Sequence, residues 1–450
     1  MAKSSPKTVF LCNQCGNEFP KWHGQCPACN EWGTLSEFRP PKTRRKTNGA
    51  PARETKKLSS ITNKKGRKRS SSGLSEVNRV LGGGLLPGSM ILLGGQPGIG
   101  KSTLALQVIA GCGQSALYVS AEESDDQLAL RAERLGVQTT GLHVSGENEI
   151  LNVLEQVSVV QPALLVIDSI QTVYNEDLDS LPGSVGQLRN CGQQLLNACK
   201  QKGFTVIVIG HVTKEGTIAG PKMLEHMVDT VLYLEGDDRY DHRILRSVKN
   251  RFGATNEVGV FQMTSLGLEE VTNPSELFLA ERTENTAGTA IFPSMEGSRP
   301  ILVEVQALVS KANFGTPQRN ANGVDTRRLA MLLAVLEKRL GKIMGMNDVF
   351  VNLVGGLKIQ DPAADLAIIS ALASSNLDKP IANNTVLVGE VGLTGEVRSV
   401  AKIEQRLQEA VALGFKIAII PKSNMKNVKS FKGLKIHDVK SVREAFQHIF

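Results

Sequence analysis

The chain has 450 residues, of which 41% are apolar and 21% are charged, so we expect two or three globular domains. No apolar run approaches the roughly 18 residues that a transmembrane helix needs, and the amino terminus lacks a signal peptide's apolar region. We therefore expect a cytoplasmic protein without a membrane partner. The net charge of +8 is concentrated in residues 40–72, which hold twelve Lys or Arg residues and one Glu.

Residues 1–38 form a cysteine module in which four of the seven cysteines occur as two Cys-x2-Cys pairs. Cys12 and Cys15 form the first pair, Cys26 and Cys29 form the second, and ten residues separate the two pairs. Two such pairs can place four thiolates tetrahedrally around a metal ion, which is typical of structural Zn²⁺. An iron site of the rubredoxin type is the alternative.

The only two tryptophans of the chain, Trp22 and Trp32, lie in this module. We expect them to form its small core; contact with DNA or protein is the alternative. Residues 39–72 follow, rich in Pro, Lys, Arg, Ser and Thr and poor in aliphatic residues. This composition predicts a flexible basic linker, which acts either as a plain tether or as a contact for polyanions.

Short apolar runs alternate with helical patterns across residues 73–275, which predicts a parallel sheet covered by helices on both faces. The predicted strands are Met90–Leu93, Ala116–Ser120, Leu164–Ile167, Thr205–Ile209 and Thr230–Leu234, and the predicted helices span 101–111, 124–136, 147–160 and 184–202. Similar alternation over residues 276–450 predicts a further α/β domain.

A complete phosphate-binding loop follows the first of these strands and precedes a predicted helix. The glycines let backbone N–H groups converge on a phosphate, Lys101 reaches the β- and γ-phosphates, and the Ser102 hydroxyl ligates Mg²⁺. The predicted ATP-binding residues are Gly95, Gln96, Pro97, Gly98, Ile99, Gly100, Lys101, Ser102 and Thr103.

Acidic residues at two further strand ends indicate that the protein hydrolyses the ATP that it binds. Asp168 ends an apolar strand and is expected to hold the Mg²⁺ together with Ser102. Glu122 follows another strand and is the predicted base for the attacking water, with Glu123 as the alternative. His211 follows a third strand and is a candidate sensor of the γ-phosphate.

Four segments together resemble the RadA (Sms) family of bacterial DNA repair proteins: 72–89, 95–102, 210–222 and 249–253, the last reading Lys-Asn-Arg-Phe-Gly. The resemblance implies an α/β fold with a RecA-like P-loop ATPase core, an amino-terminal four-Cys zinc module and a carboxyl-terminal Lon-protease-like domain. It also implies a DNA-dependent ATPase that processes branched recombination intermediates, including branch migration, as a helicase-like ring hexamer. Single-stranded and branched DNA, the RecA recombinase and the replicative helicase are the implied partners.

The same resemblance assigns roles to basic residues outside the phosphate loop. Lys249 and Arg251 would act across the subunit boundary on the nucleotide of a neighbouring copy. Residues 213–222 would form a mobile DNA-binding loop, in which Lys214 and Lys222 contact phosphates.

The Lon-like domain is predicted to lack peptidase activity. Alignment with the protease places Ala363 where the serine nucleophile belongs and Glu404 where the lysine belongs, and neither side chain can replace the original. The resemblance implies that the domain serves as a scaffold for the ring and for DNA contact, with phosphate contacts expected at Lys311, Arg319, Arg327 and Arg328.

Three alternatives stay open at this point. The chain could be an ATP-gated, DNA-binding adaptor without motor activity, an ATP-dependent protease, or a kinase related to the circadian clock ATPases. The missing nucleophile disfavours the second, and the cysteine module and carboxyl-terminal domain disfavour the third.

Overall fold

The computed structural model describes residues 9–12, 17–28, 30–38, 68–137, 140–211, 223–236, 241–255, 257–280, 282–283, 285–312, 315–355, 359, 361–428 and 430–450. The chain divides into two compact units: Met1–Gly236 with Arg243–Glu270, and Asp237–His242 with Val271–Phe450. Among the described residues, no helix is both long and apolar enough to cross a lipid bilayer. Most of the predicted linker, residues 39–67, lies outside the described residues.

Three short antiparallel strands form the amino-terminal module, in the order β2-β1-β3. They are β1 (Val9–Cys12), β2 (Glu18–Phe19) and β3 (Leu35–Phe38). The core consists of Cys12, Cys26 and Leu35, with Phe10 and Phe19 packed against them.

The two tryptophans lie outside this core, so the prediction that they form it is wrong. Trp22 is 59% exposed and Trp32 is 74% exposed. The strands and the cysteines already fill the interior, and so small a module has too few residues to surround two indole rings as well.

The rest of the first unit is built on a nine-stranded sheet with helices on both faces. Its strands are β4 (Met90–Gly95), β5 (Ala116–Ser120), β6 (Leu142–Ser145), β7 (Leu164–Asp168), β8 (Thr205–His211), β9 (Thr230–Glu235), β10 (His242–Asn250), β11 (Val258–Thr264) and β12 (Gly267–Glu270). Its helices are α1 (Ser75–Leu81), α2 (Lys101–Cys112), α3 (Asp125–Arg134), α4 (Ile150–Val160), α5 (Val185–Lys202) and α6 (Met223–Met227).

The strand order is β12-β11-β10-β9-β4-β8-β7-β5-β6, and the six strands from β9 to β6 are mutually parallel. Successive residues of a strand point to opposite faces, so each central strand contributes to two cores. Ile91 and Leu93 pack in the core that contains α1, α2 and α3, whereas Met90 and Leu92 pack in the core that contains α4 and α5. Burial on both faces explains why these strands read as continuous apolar runs.

The predicted strands and helices of this region are all present. The strands β4, β7, β8 and β9 extend one or two residues beyond their predicted ends, and the short strand β6 and the antiparallel strands β10 to β12 were not predicted. The carboxyl end of the predicted linker also differs from the prediction of a flexible tether, because two of its residues are held by backbone contacts. Arg69 donates hydrogen bonds to the carbonyls of Leu81 and Gly84 at 3.1 and 2.9 Å, and Ser70 forms a β-bridge with Leu85.

The second unit contains a seven-stranded sheet in the order β15-β16-β14-β13-β17-β20-β21 and a two-stranded ribbon of β18 and β19. Its strands are β13 (Thr289–Glu296), β14 (Arg299–Lys311), β15 (Arg319–Asn322), β16 (Asn347–Leu353), β17 (Thr385–Leu387), β18 (Glu390–Val391), β19 (Val397–Arg398), β20 (Ile417–Pro421) and β21 (Lys435–Val439). Its helices are α7 (Pro274–Leu279), α8 (Thr326–Leu340), α9 (Asp365–Leu377), α10 (Ile403–Ala412) and α11 (Val442–Ile449). Every residue of α9 from Asp365 to Ser374 is buried, so this helix is the centre of the second unit.

Candidate active site

The phosphate-binding loop leaves the carboxyl end of the central strand β4 and ends where α2 begins. Gly98 and Gly100 have φ angles of +78° and +113°, a conformation that residues with a side chain rarely adopt. They allow the chain to turn sharply into the helix. Because the first N–H groups of a helix have no partner within it, the start of α2 can bind an anion such as phosphate.

Lys101, the first residue of α2, has its amino group inside this loop. Its side chain is buried, and Nζ donates hydrogen bonds to the carbonyl oxygens of Gly95 and Gln96, both at 2.9 Å. Burial lowers the pKa of Lys101, and the negative charges of Asp168 and Glu122 oppose that change. The amino group therefore lies where bound phosphates would meet it.

A buried hydrogen-bond cluster joins the start of α2 to the end of β7. The Ser102 hydroxyl donates to Asp168 Oδ2 at 2.6 Å, and the Tyr118 hydroxyl donates to the same oxygen at 2.6 Å. A serine hydroxyl beside a carboxylate is the kind of hard oxygen donor set that Mg²⁺ prefers, so these residues fit the predicted magnesium site.

Tyr118 is part of this site, although no sequence motif indicated it. Its side chain is completely buried, and this burial beside the Asp168 carboxylate raises the pKa of the hydroxyl well above its usual value. The hydroxyl thus stays protonated and donates. The sequence holds one hint of this role, because Tyr118 is the single phenol within the apolar run that forms β5. A buried tyrosine hydroxyl usually has a hydrogen-bond partner.

Glu122 lies just beyond the carboxyl end of β5, close to two polar side chains. Its Oε1 accepts a hydrogen bond from the Ser169 hydroxyl at 2.5 Å and lies 3.4 Å from His211 Nε2. The Glu122 side chain is 39% exposed, so water can reach the carboxylate. Glu123, the alternative base, forms an ion pair with Arg131 on α3. This geometry favours Glu122 over Glu123.

The strand register explains why residues so far apart in sequence come together. Gly95 on β4 pairs with His211 on β8, and Ser120 on β5 pairs with Asp168 on β7. The strands β4, β8, β7 and β5 are consecutive and parallel, so their carboxyl ends form one edge of the sheet. The crevice at this edge is where parallel α/β sheets bind ligands.

Lys249 and Arg251 lie at the opposite, amino edge of the same sheet. Lys249 Nζ donates to the carbonyl of Glu225 at 2.6 Å, and Arg251 Nη1 lies 3.3 Å from Asp229 Oδ1. Asp229 in turn hydrogen-bonds the backbone of Met90, the first residue of β4. The six residues of β4 therefore separate these cations from their own phosphate loop by about 16 Å.

Two of the predicted site sets fall wholly or partly outside the described residues. Lys214 and Lys222 lie outside them, as do Cys15 and Cys29. Cys12 is buried in the module core, and its thiol donates to the Thr34 hydroxyl at 3.2 Å. A buried cysteine from each Cys-x2-Cys pair in one small core fits a shared metal site.

Comparison with known proteins places the chain in a family. Residues 65–217 match the AAA domain, 10–37 the rubredoxin metal binding domain, and 341–450 the Lon protease (S16) C-terminal proteolytic domain. The DNA repair protein RadA of Bacillus subtilis is 49% identical over 455 residues, covering 99% of both chains. This chain belongs to the RadA family.

Another RadA, that of Listeria monocytogenes, is 48% identical over 452 residues and again covers 99% of both chains. Among solved structures, the chain matches a crystal structure of the RadB recombinase with 25% sequence identity and a TM-score of 0.38. The match covers 45% of this chain and 99% of the RadB chain. The predicted resemblance to the RadA family is confirmed, and so is the α/β fold with its ATPase core, cysteine module and Lon-like domain. Membership in this family and the AAA domain support ATP hydrolysis.

The Lon-like domain of this chain has an ion pair beside Ala363, the position at which the protease has its serine. The N–H of Ala363 donates to Asp361 Oδ1 at 3.0 Å, and Asp361 Oδ2 lies 2.5 Å from Arg406 Nη2. Glu404, at the predicted lysine position, lies on α10 together with Arg406, whose guanidinium reaches this turn. An arginine cannot act as a base, because its guanidinium stays protonated in proteins.

The first residue of α9 forms a second ion pair in this region. Asp365 is almost completely buried and pairs with Arg328 through both carboxylate oxygens, and the N–H of Val391 donates to Asp365 Oδ2 at 2.9 Å. Arg328 was one of the expected DNA contacts. Its guanidinium is instead committed to a carboxylate within its own unit.

Proposed function

We propose that this chain is a DNA-dependent ATPase of recombinational DNA repair, which processes branched intermediates as a ring oligomer with helicase-like motor activity. The observation that carries the proposal is the division of functional groups between the two edges of one sheet. The nucleotide-binding groups lie at the carboxyl edge, and Lys249 and Arg251 lie at the amino edge. A chain built in this way needs a neighbouring copy to complete its ATP site.

The carboxyl edge supplies the groups that would bind the nucleotide. Residues 95–103 would hold the phosphates through backbone N–H groups, and Lys101 would contact the β- and γ-phosphates. Ser102 and Asp168 would hold Mg²⁺, which neutralises part of the phosphate charge when it is bound. Tyr118 would keep the Asp168 carboxylate oriented towards Ser102.

The neighbouring residues would activate water and transmit the state of the nucleotide. Glu122 would orient the attacking water and accept its proton, while Ser169 fixes one carboxylate oxygen. His211 lies within reach of Glu122 and comes two residues before the predicted DNA-binding loop, residues 213–222. It would couple the γ-phosphate to that loop, in which Lys214 and Lys222 are the proposed DNA contacts.

The amino edge would complete the site of an adjacent subunit. Arg251 is 49% exposed, so part of its guanidinium is available to a neighbour, and Lys249 lies beside it on β10. Their charge would stabilise the transferred phosphoryl group, as arginine fingers do in other ATPases. A head-to-tail interface of this kind closes into a ring, and a homohexamer is the form that the family resemblance suggests.

Action on chromosomal DNA would place the protein in the cytoplasm, with single-stranded and branched DNA as substrates. The relatives named RadA are described as DNA repair proteins, which supports this role. The RecA recombinase and the replicative helicase are the proposed protein partners. We also propose that Cys12, Cys15, Cys26 and Cys29 hold a structural Zn²⁺.

The direct test is ATP hydrolysis by the purified full chain with and without single-stranded DNA. We expect DNA to raise kcat, and we expect Lys101→Ala to abolish both the basal and the stimulated rates. Lys200→Ala, which removes an exposed lysine at the end of α5, is the matched control and should leave both rates unchanged. A rate that does not respond to single-stranded DNA would rule out the proposed activity.

An ATP-gated adaptor without motor activity is the second candidate. The observation that favours it is the Lon-like domain, in which Asp361 and Asp365 are committed to ion pairs, as expected of an inactive scaffold. Displacement of one strand from a forked duplex separates the two functions. Loss of displacement in Lys101→Ala supports a motor, whereas displacement that survives this change supports the adaptor.

A further inference from the structure

The two exposed tryptophans of the amino-terminal module stand side by side. A Cβ atom added at Gly24 would lie 3.6 Å from Cζ3 of Trp32 and 3.7 Å from Cη2 of Trp22, so both indole rings pack over this glycine. Trp22 and Trp32 are also the only tryptophans in the 450 residues. Large aromatic side chains gain much free energy from burial, so two adjacent exposed rings indicate an interaction surface.

The backbone beneath the rings is held by hydrogen bonds within one hairpin. The N–H of Gly33 donates to the Gly24 carbonyl at 2.7 Å, an antiparallel bridge joins Gln25 to Trp32, and Gln25 Nε2 donates to the Asn30 carbonyl at 2.9 Å. Cys26, one of the predicted metal ligands, lies inside the same hairpin, where its N–H donates to the Glu31 carbonyl at 2.8 Å. A surface held in this way loses little conformational entropy when it binds a partner.

The size of the apolar patch decides between two classes of partner. Lys21, His23, Gln25, Asn30 and Glu31, which lie beside the two rings in sequence, are all exposed and polar. The two indoles can bury about 500 Å² at most. A stable protein interface needs about 800 Å² on each partner. Isolated aromatic rings among polar residues are instead typical of surfaces on which unpaired bases stack.

The charge of the following sequence points to the same partner. Residues 40–72, which begin two residues after β3, contain twelve Lys or Arg residues and one Glu. Such a sequence attracts a polyanion irrespective of base sequence. A ligand that carries both phosphates and flat aromatic groups satisfies the basic sequence and the two rings together.

We propose that Trp22 and Trp32 form a stacking platform for unpaired bases of single-stranded DNA. The inference rests on the proposed function, because it assumes that the chain acts on DNA, and it adds a base-contacting site in the amino-terminal module. Stacking on two indoles binds bases irrespective of their identity. The module would thus hold a single strand next to the ATPase ring without selecting a sequence.

Intrinsic fluorescence of the full chain tests the proposal directly, because no other tryptophan contributes to the emission. We expect an oligodeoxythymidine to quench the emission as its bases stack, and an abasic oligomer of equal length and charge to leave it unchanged. Trp22→Ala and Trp32→Ala should each weaken binding of the oligodeoxythymidine by about 5- to 100-fold. Trp22→Phe and Trp32→Phe, which keep an aromatic ring, should retain most of the affinity.

Two controls keep the outcome decisive. Bound metal and the basal ATPase rate of each variant should equal those of the unmodified chain, because neither ring belongs to the metal or nucleotide site. Emission that does not change at DNA concentrations that stimulate the ATPase would overturn the stacking proposal alone and indicate a protein-docking surface. Absence of both quenching and ATPase stimulation would contradict the stacking proposal and the proposed function together.

Discussion

The ATPase sheet and the Lon-like domain both bury a carboxylate next to a helix, but the partners of the two carboxylates differ. Asp168 accepts hydrogen bonds from the neutral hydroxyls of Ser102 and Tyr118, so its negative charge stays available to a cation. Asp365 pairs with the guanidinium of Arg328, which neutralises it. Two α/β units of one chain thus carry different chemistry because of single side chains, which is why a fold alone does not establish an activity.

The largest expected effect is on the rate of hydrolysis at the ATPase site. Glu122→Gln keeps the hydrogen-bonding shape of the side chain and removes its ability to accept a proton. We expect kcat to fall by about 10²- to 10⁴-fold while ATP binding persists, as measured by steady-state kinetics and nucleotide titration. Glu123→Gln is the matched control because Glu123 is paired with Arg131. A larger loss in the control would reassign the base.

The next effect is on the stability of the Lon-like domain. Arg406 is buried and donates to the carbonyl of Pro293 at 2.6 Å as well as to Asp361, so Arg406→Met removes the donor to a buried carbonyl and the positive charge that pairs with Asp361. We expect a loss of about 3–5 kcal/mol, measured by hydrogen exchange of the α9 amides. Arg398→Met, which breaks an exposed pair with Glu396, should cost less than about 1 kcal/mol. Equal losses would mean that the buried pair is not structural.

A smaller effect is expected on the magnesium dependence of the ATPase. Tyr118→Phe removes only the hydroxyl that donates to Asp168. Since groups that orient a metal ligand contribute to metal affinity, the Mg²⁺ concentration for half-maximal hydrolysis should rise by about 10- to 100-fold. The control is Tyr233→Phe, whose hydroxyl donates to Glu225 at 3.1 Å rather than to a predicted magnesium ligand. An unchanged magnesium requirement in Tyr118→Phe would show that the hydroxyl does not position Asp168.

No measurable effect is expected from restoring the nucleophile of the Lon-like domain. Ala363→Ser supplies a hydroxyl, but the predicted lysine position holds Glu404, and the guanidinium of Arg406 that reaches this turn cannot act as a base. Casein degradation by the variant in the presence of ATP should therefore stay at the background rate. Degradation above background would show that the domain keeps a working peptidase site.

Features that depend on local order along the chain could be predicted from the sequence. The phosphate loop, the strand before it and the acidic residues at strand ends are of this kind, because a motif and its flanking residues determine the local backbone. Tyr118 was not predicted because its partner lies fifty residues further along the chain. The two side chains meet only when β5 pairs with β7.

One other failure had a different physical cause. Trp22 and Trp32 were expected in a core because tryptophan is apolar. Their exposure could not be predicted from composition, because the smaller side chains of this module already fill its interior.

The most direct test of the shared ATP site mixes two inactive variants. Lys101→Ala removes the phosphate-binding lysine and Arg251→Ala removes the proposed trans-acting arginine, so each alone should be inactive. When the two proteins are mixed, an Arg251→Ala subunit keeps an intact phosphate loop that a Lys101→Ala neighbour can complete. We predict that about a quarter of the interfaces, and a matching share of the ATPase rate, recover in an equimolar mixture. A mixture as inactive as its components would contradict a site shared between subunits.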